Sequence, residues 1–293
     1  MSSNDADARE RGMTVGVRRV AELDPNAPLP ASEPALLARI VGEIRETGPM
    51  TFARFMAIAL YDPEDGYYTA AAGGPGRGGD FLTAPEGHAI FGWAIARQAE
   101  EVWDRLGRSP RFVIREHGAG TGALGLGILD GLRRSGSDLA EAIRYQAAEA
   151  SPARLEQVRA RFSAAGFGDR LEPIDDRSSD GLLLANELLD ALPVHMVEGG
   201  PGRDLREVFV ALDGTGDLVL ETGAPSTAAI ASRLADEGIQ LADGQRAEIC
   251  LEIDPWMSGA LVGLQRGLLL IVDYGYPADQ LYDPVRGSTL RAY

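Results

Sequence analysis

Arg111-Phe112-Val113-Ile114-Arg115-Glu116-His117-Gly118-Ala119-Gly120-Thr121-Gly122 decides how this 293-residue chain is read. Residues 111–115 form a short strand that ends on glycines, and a helix follows over 123–134. Such a junction lets backbone N–H groups come close to a ligand. In open α/β sheets the ligand lies beyond the carboxyl ends of the strands. The same alternation continues downstream. Strands are expected at 144–148, 181–185 and 267–272, and a helix at 152–164. Short apolar strands separated by helices imply a parallel sheet covered on both faces, an α/β fold.

Upstream, residues 1–31 are polar and acidic and read as a disordered lead-in. They lack the apolar stretch of a secretory signal, and their acids argue against an organelle transit peptide. A cytoplasmic protein is expected. Residues 32–108 read as a helical cap. Ser32-Glu33-Pro34 starts one helix, with Leu36, Leu37, Ile40 and Ile44 at helical spacing. Thr51 caps a second that carries Phe52, Phe55, Met56 and Leu60. Residues 61–68 are turn-rich, 70–79 form a flexible glycine-rich loop, and 88–106 form a further helix. Residues 109–293 form the core, with an insertion at about 194–246. That insertion contains a hairpin, 207–212 and 217–221 around Asp213-Gly214-Thr215-Gly216, then a helix at 226–237. An extended piece at 248–251 follows.

Composition removes whole classes of chemistry. All 28 basic residues are arginine. Without lysine there is no Schiff base for pyridoxal phosphate and no Walker A loop. Cys250 is the single cysteine, so neither a disulfide framework nor a cysteine-based zinc site can form. His88, His117 and His195 are scattered, and no metal site is expected. A formal net charge of −16 repels phosphate backbones, so nucleic acid is not an expected partner. No apolar run approaches the roughly 20 residues of a membrane span. Oligomeric state stays open.

The glycine turn admits more than one ligand. Gly120-x-Gly122-x-x-Gly125 satisfies the dinucleotide pattern. Glu116, just before the glycines, would sit badly beside a pyrophosphate but can receive the amino group of a methionine moiety. Glu149, at the end of the next strand, can bind both ribose hydroxyls. It lies 27 residues after Gly122, beyond the roughly 20 of a nicotinamide site. S-adenosylmethionine (SAM) is therefore favoured over nicotinamide and over a purely structural turn, with all three open. Glu116, Gly118, Ala119, Gly120, Gly122, Glu149, Ala150 and Asn186 are the cofactor candidates.

Other segments each carry two readings. In Leu184-Ala185-Asn186-Glu187-Leu188-Leu189-Asp190, the groups Asn186, Glu187 and Asp190 either orient a substrate and take its proton, or Asn186 and Glu187 cap a helix. In Gly79-Asp80-Phe81-Leu82-Thr83-Ala84-Pro85-Glu86, either Asp80 and Glu86 face a substrate, or Thr83 and Glu86 form a capping box. Asp273-Tyr274-Gly275-Tyr276 ends a strand at the border of the cleft. His117 either lines the site or is structural, the structural reading being favoured, and His195 reads as structural.

Taken together, these segments resemble the MidA family of class I SAM-dependent methyltransferases. Gly66-Tyr67-Tyr68, Gly79-Asp80-Phe81, Thr83-Ala84-Pro85-Glu86, Phe91-Gly92, Glu116 to Gly122, Asn186-Glu187, Asp190-Ala191-Leu192-Pro193 and Asp273-Tyr274-Gly275 occur in family order, over about 34–293. The resemblance implies a seven-stranded, Rossmann-like sheet with an N-terminal helical cap and an insertion before the fifth core strand. It implies transfer of a methyl group from SAM to a protein, with arginine favoured, or to a small-molecule acceptor. Mitochondrial members methylate an arginine of a complex I subunit. A non-catalytic SAM-binding assembly factor and a nicotinamide oxidoreductase are the alternatives. His117 stands where many relatives have leucine or phenylalanine. Ser288 to Tyr293 reads as the start of a motif that continues in relatives. On that reading the last two strands lie beyond it and the edge of the sheet is left unpaired.

Overall fold

The computed structural model describes residues 33–70, 84–175, 177–285 and 289–290. The expected lead-in, the glycine-rich loop and Asp80 lie outside the described residues. In chain order the elements are α1 (Pro34–Thr47), β1 (Met50–Thr51), α2 (Phe52–Tyr61), α3 (Ala84–Gly87), α4 (Ile90–Arg105), β2 (Phe112–His117), α5 (Ala123–Ser135), α6 (Leu139–Ala142), β3 (Ile143–Ala148) and α7 (Pro152–Ala164). There follow β4 (Ser179–Asn186), β5 (His195–Gly199), β6 (Leu205–Leu212), β7 (Leu218–Gly223), α8 (Ala228–Asp236), β8 (Arg246–Ile249), α9 (Ile253–Ala260), β9 (Leu264–Val272) and α10 (Ala278–Leu281).

The alternating strands pair as expected. β3, β2, β4 and β9 form one parallel sheet in that order. Phe112 through Glu116 are all buried, which suits a central strand covered on both faces. Side chains alternate across β2. Phe112 and Ile114 join Ile95, Ala99, Ile128, Tyr145, Phe162 and Leu182 in the largest apolar cluster. Arg115 faces the other way and is 7% exposed. Its guanidinium donates to Gln146 Oε1 at 2.9 Å, Val262 O at 2.9 Å and Asp175 O at 2.8 Å, so the buried cation is satisfied. The cross-links tie β2 to its neighbours beneath the glycine turn.

Helix α4 belongs with this sheet rather than with the N-terminal helices. Its apolar stripe, Ile95, Ala96, Ala99 and Trp103, packs into the same cluster as α5. The two helices touch at Gly92 and Gly127, where a Cβ on Gly92 would sit 2.6 Å from the Gly127 backbone. Ile128 of α5, fully buried in this cluster, sets a stability test. Ile128→Ala is expected to lower unfolding free energy by about 2–5 kcal/mol, read from the urea midpoint at unchanged slope.

The N-terminal helices and the insertion share a second sheet and its apolar cluster. β1, β6, β5 and β8 line up as an antiparallel sheet, with β7 on the far side of β6. Ile40 and Ile44 of α1 and Phe52 and Ile58 of α2 bury against Met196, Val208 and Val210 of this sheet. On another side, Val197, Ala247 and Ile249 pack on Ile230 and Leu234 of α8. The expected hairpin is thus two strands of a five-stranded sheet. β1 was missed because it is two residues long, and β5 because no turn signal announces it. Thr51 does cap α2, accepting from Arg54 N–H at 3.1 Å. At α1 the N-cap position is Glu33, which makes no side-chain cap bond. Among the described residues, no helix is long and apolar enough to cross a membrane.

Candidate functional site

A cleft of about 270 Å³ opens at the carboxyl ends of β2, β3 and β4. Its floor is the turn after β2. Gly120 has φ +52° and a Cβ there would find open space, with its nearest neighbour Gly118 O at 4.0 Å. Only glycine takes that backbone cheaply, and its missing side chain leaves the cradle empty. Gly120 N–H donates to Glu149 Oε2 at 2.8 Å, and Ser151 N–H donates to Oε1 at 3.0 Å. Glu149 is thereby held at the rim of the cleft.

Gly125 explains why the dinucleotide-like pattern occurs. A Cβ on it would fall 2.4 Å from the Tyr145 ring, so the third glycine serves helix-to-strand packing. Next to it, the Tyr145 hydroxyl donates to Glu116 Oε2. Glu116 is 3% exposed. Burial pushes its carboxyl well above the usual range, the nearby Glu149 adds to this, and the Gly125 N–H opposes it. Bonded to Tyr145 of β3 and to the Gly125 N–H of α5, Glu116 supports the turn as well as walling the cleft. Gly122, expected to contact cofactor, does not line the cleft. It is the left-handed residue before α5, packed against Val158 and Phe162.

The far wall comes from the residues after β4. Glu187 adopts φ +48°, an uncommon state for a non-glycine residue and one that concentrates at functional sites. Its backbone N–H donates to Val272 O at 2.8 Å, and its side chain is bonded to the Tyr274 phenol. Asn186 and Glu187 do not cap the next turn. Asp273 does so, accepting from Leu189 N–H at 2.7 Å and Asp190 N–H at 3.3 Å. This frees Asn186 Oδ1, which is buried without a partner. Asp190 is pushed up to about 6 by burial, then by Asp273 and Glu187.

Glu86, in α3, lines the cleft, and Thr83, its partner in the capping-box reading, lies outside the described residues. Its Oε1 accepts from the Thr121 hydroxyl at 2.5 Å, and Oε2 is buried without a partner. His117 lines the cleft too, contrary to its structural reading. Its ring meets Trp256 edge-on at 5.7 Å, Nε2 is buried without a partner, and burial followed by Arg115 lowers its pKa to about 4. His195 keeps its structural reading, with Nδ1 2.7 Å from the fully buried Glu207.

Glu86, Glu116, Glu149, Glu187 and Asp190 therefore meet around one cleft with Arg154 as its basic wall. Gly118, Ala119, Gly120, Ala150 and Asn186 line it as well. Tyr61, Arg154 and Trp256 belong to no sequence motif named above, whereas Tyr68 and Thr121 stand inside Gly66-Tyr67-Tyr68 and the Glu116-to-Gly122 turn without a role of their own. Trp256, on α9 after the insertion, had no signal.

Comparison with known proteins points the same way. Residues 94–293 match a family described as "Putative S-adenosyl-L-methionine-dependent methyltransferase". The chain is 28% identical to the mitochondrial protein arginine methyltransferase NDUFAF7 of Mus musculus, covering 88% of this chain and 62% of that one. The human counterpart is 26% identical, with 88% and 63% covered. This chain spans less than two thirds of the length of these relatives. A bacterial protein from Burkholderia thailandensis, in a crystal structure bound to S-adenosyl-homocysteine, superimposes with a TM-score of 0.74 at 31% identity, covering 89% of this chain and 69% of that one. The native structure from the same organism gives 0.75 at 30% identity.

Proposed function

Because the chain belongs to this family of S-adenosyl-L-methionine-dependent methyltransferases, we propose that its cleft binds SAM and delivers the methyl group to a cationic nitrogen, an arginine side chain of a protein being the favoured acceptor. The observation that carries this reading is the concentration of five carboxylates around one cleft. SAM bears a sulfonium and an ammonium, and an acidic cleft suits both it and a cationic acceptor.

The side chains fit the cofactor. Asn186 Oδ1 and Glu86 Oε2 are buried acceptors without partners, as a ligand rich in N–H and O–H donors requires. Glu149, fixed by two backbone N–H groups, keeps lone pairs for a ribose diol. The open space over Gly120 admits a ligand against the backbone. When bound, SAM supplies an electrophilic methyl carbon.

On the acceptor side the need is a base. A guanidinium keeps its protons up to pKa values above about 12. Its nitrogen can complete a new C–N bond only if a proton leaves as the C–S pair passes to sulfur. Asp190 suits that role, because a base near 6 is ionised at neutral pH yet accepts a proton readily. Glu187 is the second carboxylate that would hold the cation in place.

Relatives named as protein arginine methyltransferases support the arginine preference. Cell extract incubated with methyl-labelled SAM is the test. Label in protein, recovered as methylarginine after hydrolysis, is the expected result. SAM turnover without transfer to protein would move the acceptor to a small molecule. Thermal stabilisation by NAD and none by SAM would remove the reading altogether.

A further inference from the structure

Tyr68 stands in the cleft with no role in the reading above. It lines the cleft together with Tyr61. The two rings stack at 5.5 Å, and Tyr67 meets Tyr68 edge-on at 5.0 Å. The stack is fastened to the turn that carries the base, because the Tyr61 hydroxyl donates to Ala191 O at 2.9 Å. Residues from the N-terminal part of the chain are thus bolted to the residue after Asp190, 130 positions away.

The phenol oxygen of Tyr68 has no hydrogen-bond partner among the described residues, although its ring is held from two sides. It lies within the fields of Asp190, Arg154 and Glu187. Burial first, and then Asp190, raises its pKa to about 12, so it stays a hydroxyl at neutral pH. A hydroxyl without a partner that lines one cleft with two carboxylates is a group available to a ligand.

We infer that Tyr68 is an acceptor-positioning residue, its hydroxyl oxygen accepting an N–H of the acceptor guanidinium while Asp190 and Glu187 take others. This inference rests on the methyl-transfer reading and adds a group to it. A guanidinium presents its donors in a planar fork, so three acceptors on different sides can each take one. A lysine ammonium is a compact charge and gains less from a third acceptor at the rim. Tyr68 accordingly contributes to choosing arginine over lysine.

The experiment is direct titration of the blocked peptide acetyl-Gly-Arg-Gly amide into protein saturated with S-adenosylhomocysteine, by calorimetry. Its lysine and citrulline counterparts serve as comparisons. Tyr68→Phe keeps the stack and deletes the hydroxyl. It is expected to weaken arginine-peptide binding by about tenfold, the size of one lost hydrogen bond to a charged group. Lysine-peptide binding should fall by much less, and S-adenosylhomocysteine affinity should not follow. Equal arginine-peptide affinity in Tyr68→Phe overturns the inference. So does a parallel loss of S-adenosylhomocysteine binding, or wild-type protein that binds the three peptides alike or none of them. Where transfer is measurable, the same variant should raise KM for the arginine peptide more than it lowers kcat. Failure of the methyl-transfer reading would show differently, as peptide bound with the expected preference and no methylated product.

Discussion

Asp190→Asn is expected to slow methyl transfer on the order of 10²- to 10³-fold, the usual weight of a positioned general base. Asparagine nearly matches the size of the carboxylate but cannot take a proton. Asp190 is held by burial and by its neighbours Asp273 and Glu187 at about 6. The base works only when ionised, so kcat/KM of the wild type should climb as pH rises through about 6 and then level. The variant should lose that limb as well as the rate. A pH–rate profile at saturating SAM measures both. A variant with wild-type rate and an unchanged acid limb would move the base elsewhere, with Glu187 the first alternative.

Gly120→Val is the second large effect. The native φ of +52° costs a non-glycine residue roughly 1–2 kcal/mol, and a β-branched one more. The added side chain would also fill the cradle floor and disturb the Gly120 N–H bond to Glu149. SAM affinity is expected to fall at least 100-fold, two decades or about 2.8 kcal/mol, with a drop in thermal midpoint of several degrees. Calorimetric titration against circular dichroism separates the two. Wild-type SAM affinity in a folded Gly120→Val protein would place the cofactor away from this turn.

Local features of the chain were legible. The turn from Glu116 to Gly122, Glu149 after β3 and the group Asn186, Glu187 and Asp190 are each set by a strand end and its next few residues, and the parallel sheet brings strand ends together. What failed to show was set by distant partners. Whether Asn186 caps a helix or faces the cleft depends on Asp273, more than 80 residues downstream, which takes the capping role. Glu86 resembles a capping-box residue in sequence and becomes a cleft residue through Thr121. Gly122 belongs to the glycine pattern, yet its neighbours are Val158 and Phe162 of α7. Tyr61 reaches the cleft from α2 and Trp256 from α9, segments far apart in the chain and from the glycine turn. Helix α4 was grouped with the N-terminal helices by order along the chain, whereas its apolar stripe assigns it to the parallel sheet.

Transfer of a methyl group from SAM to a guanidinium in this cleft is open to one direct measurement. Mass spectrometry of an arginine-containing protein mixture after incubation with methyl-labelled SAM tests it most directly, with Asp190→Asn run in parallel. Labelled methyl groups are expected on arginine, absent from lysine and nearly abolished in the variant. Label on lysine or carboxylate side chains, or equal label on arginine from both proteins, would contradict it.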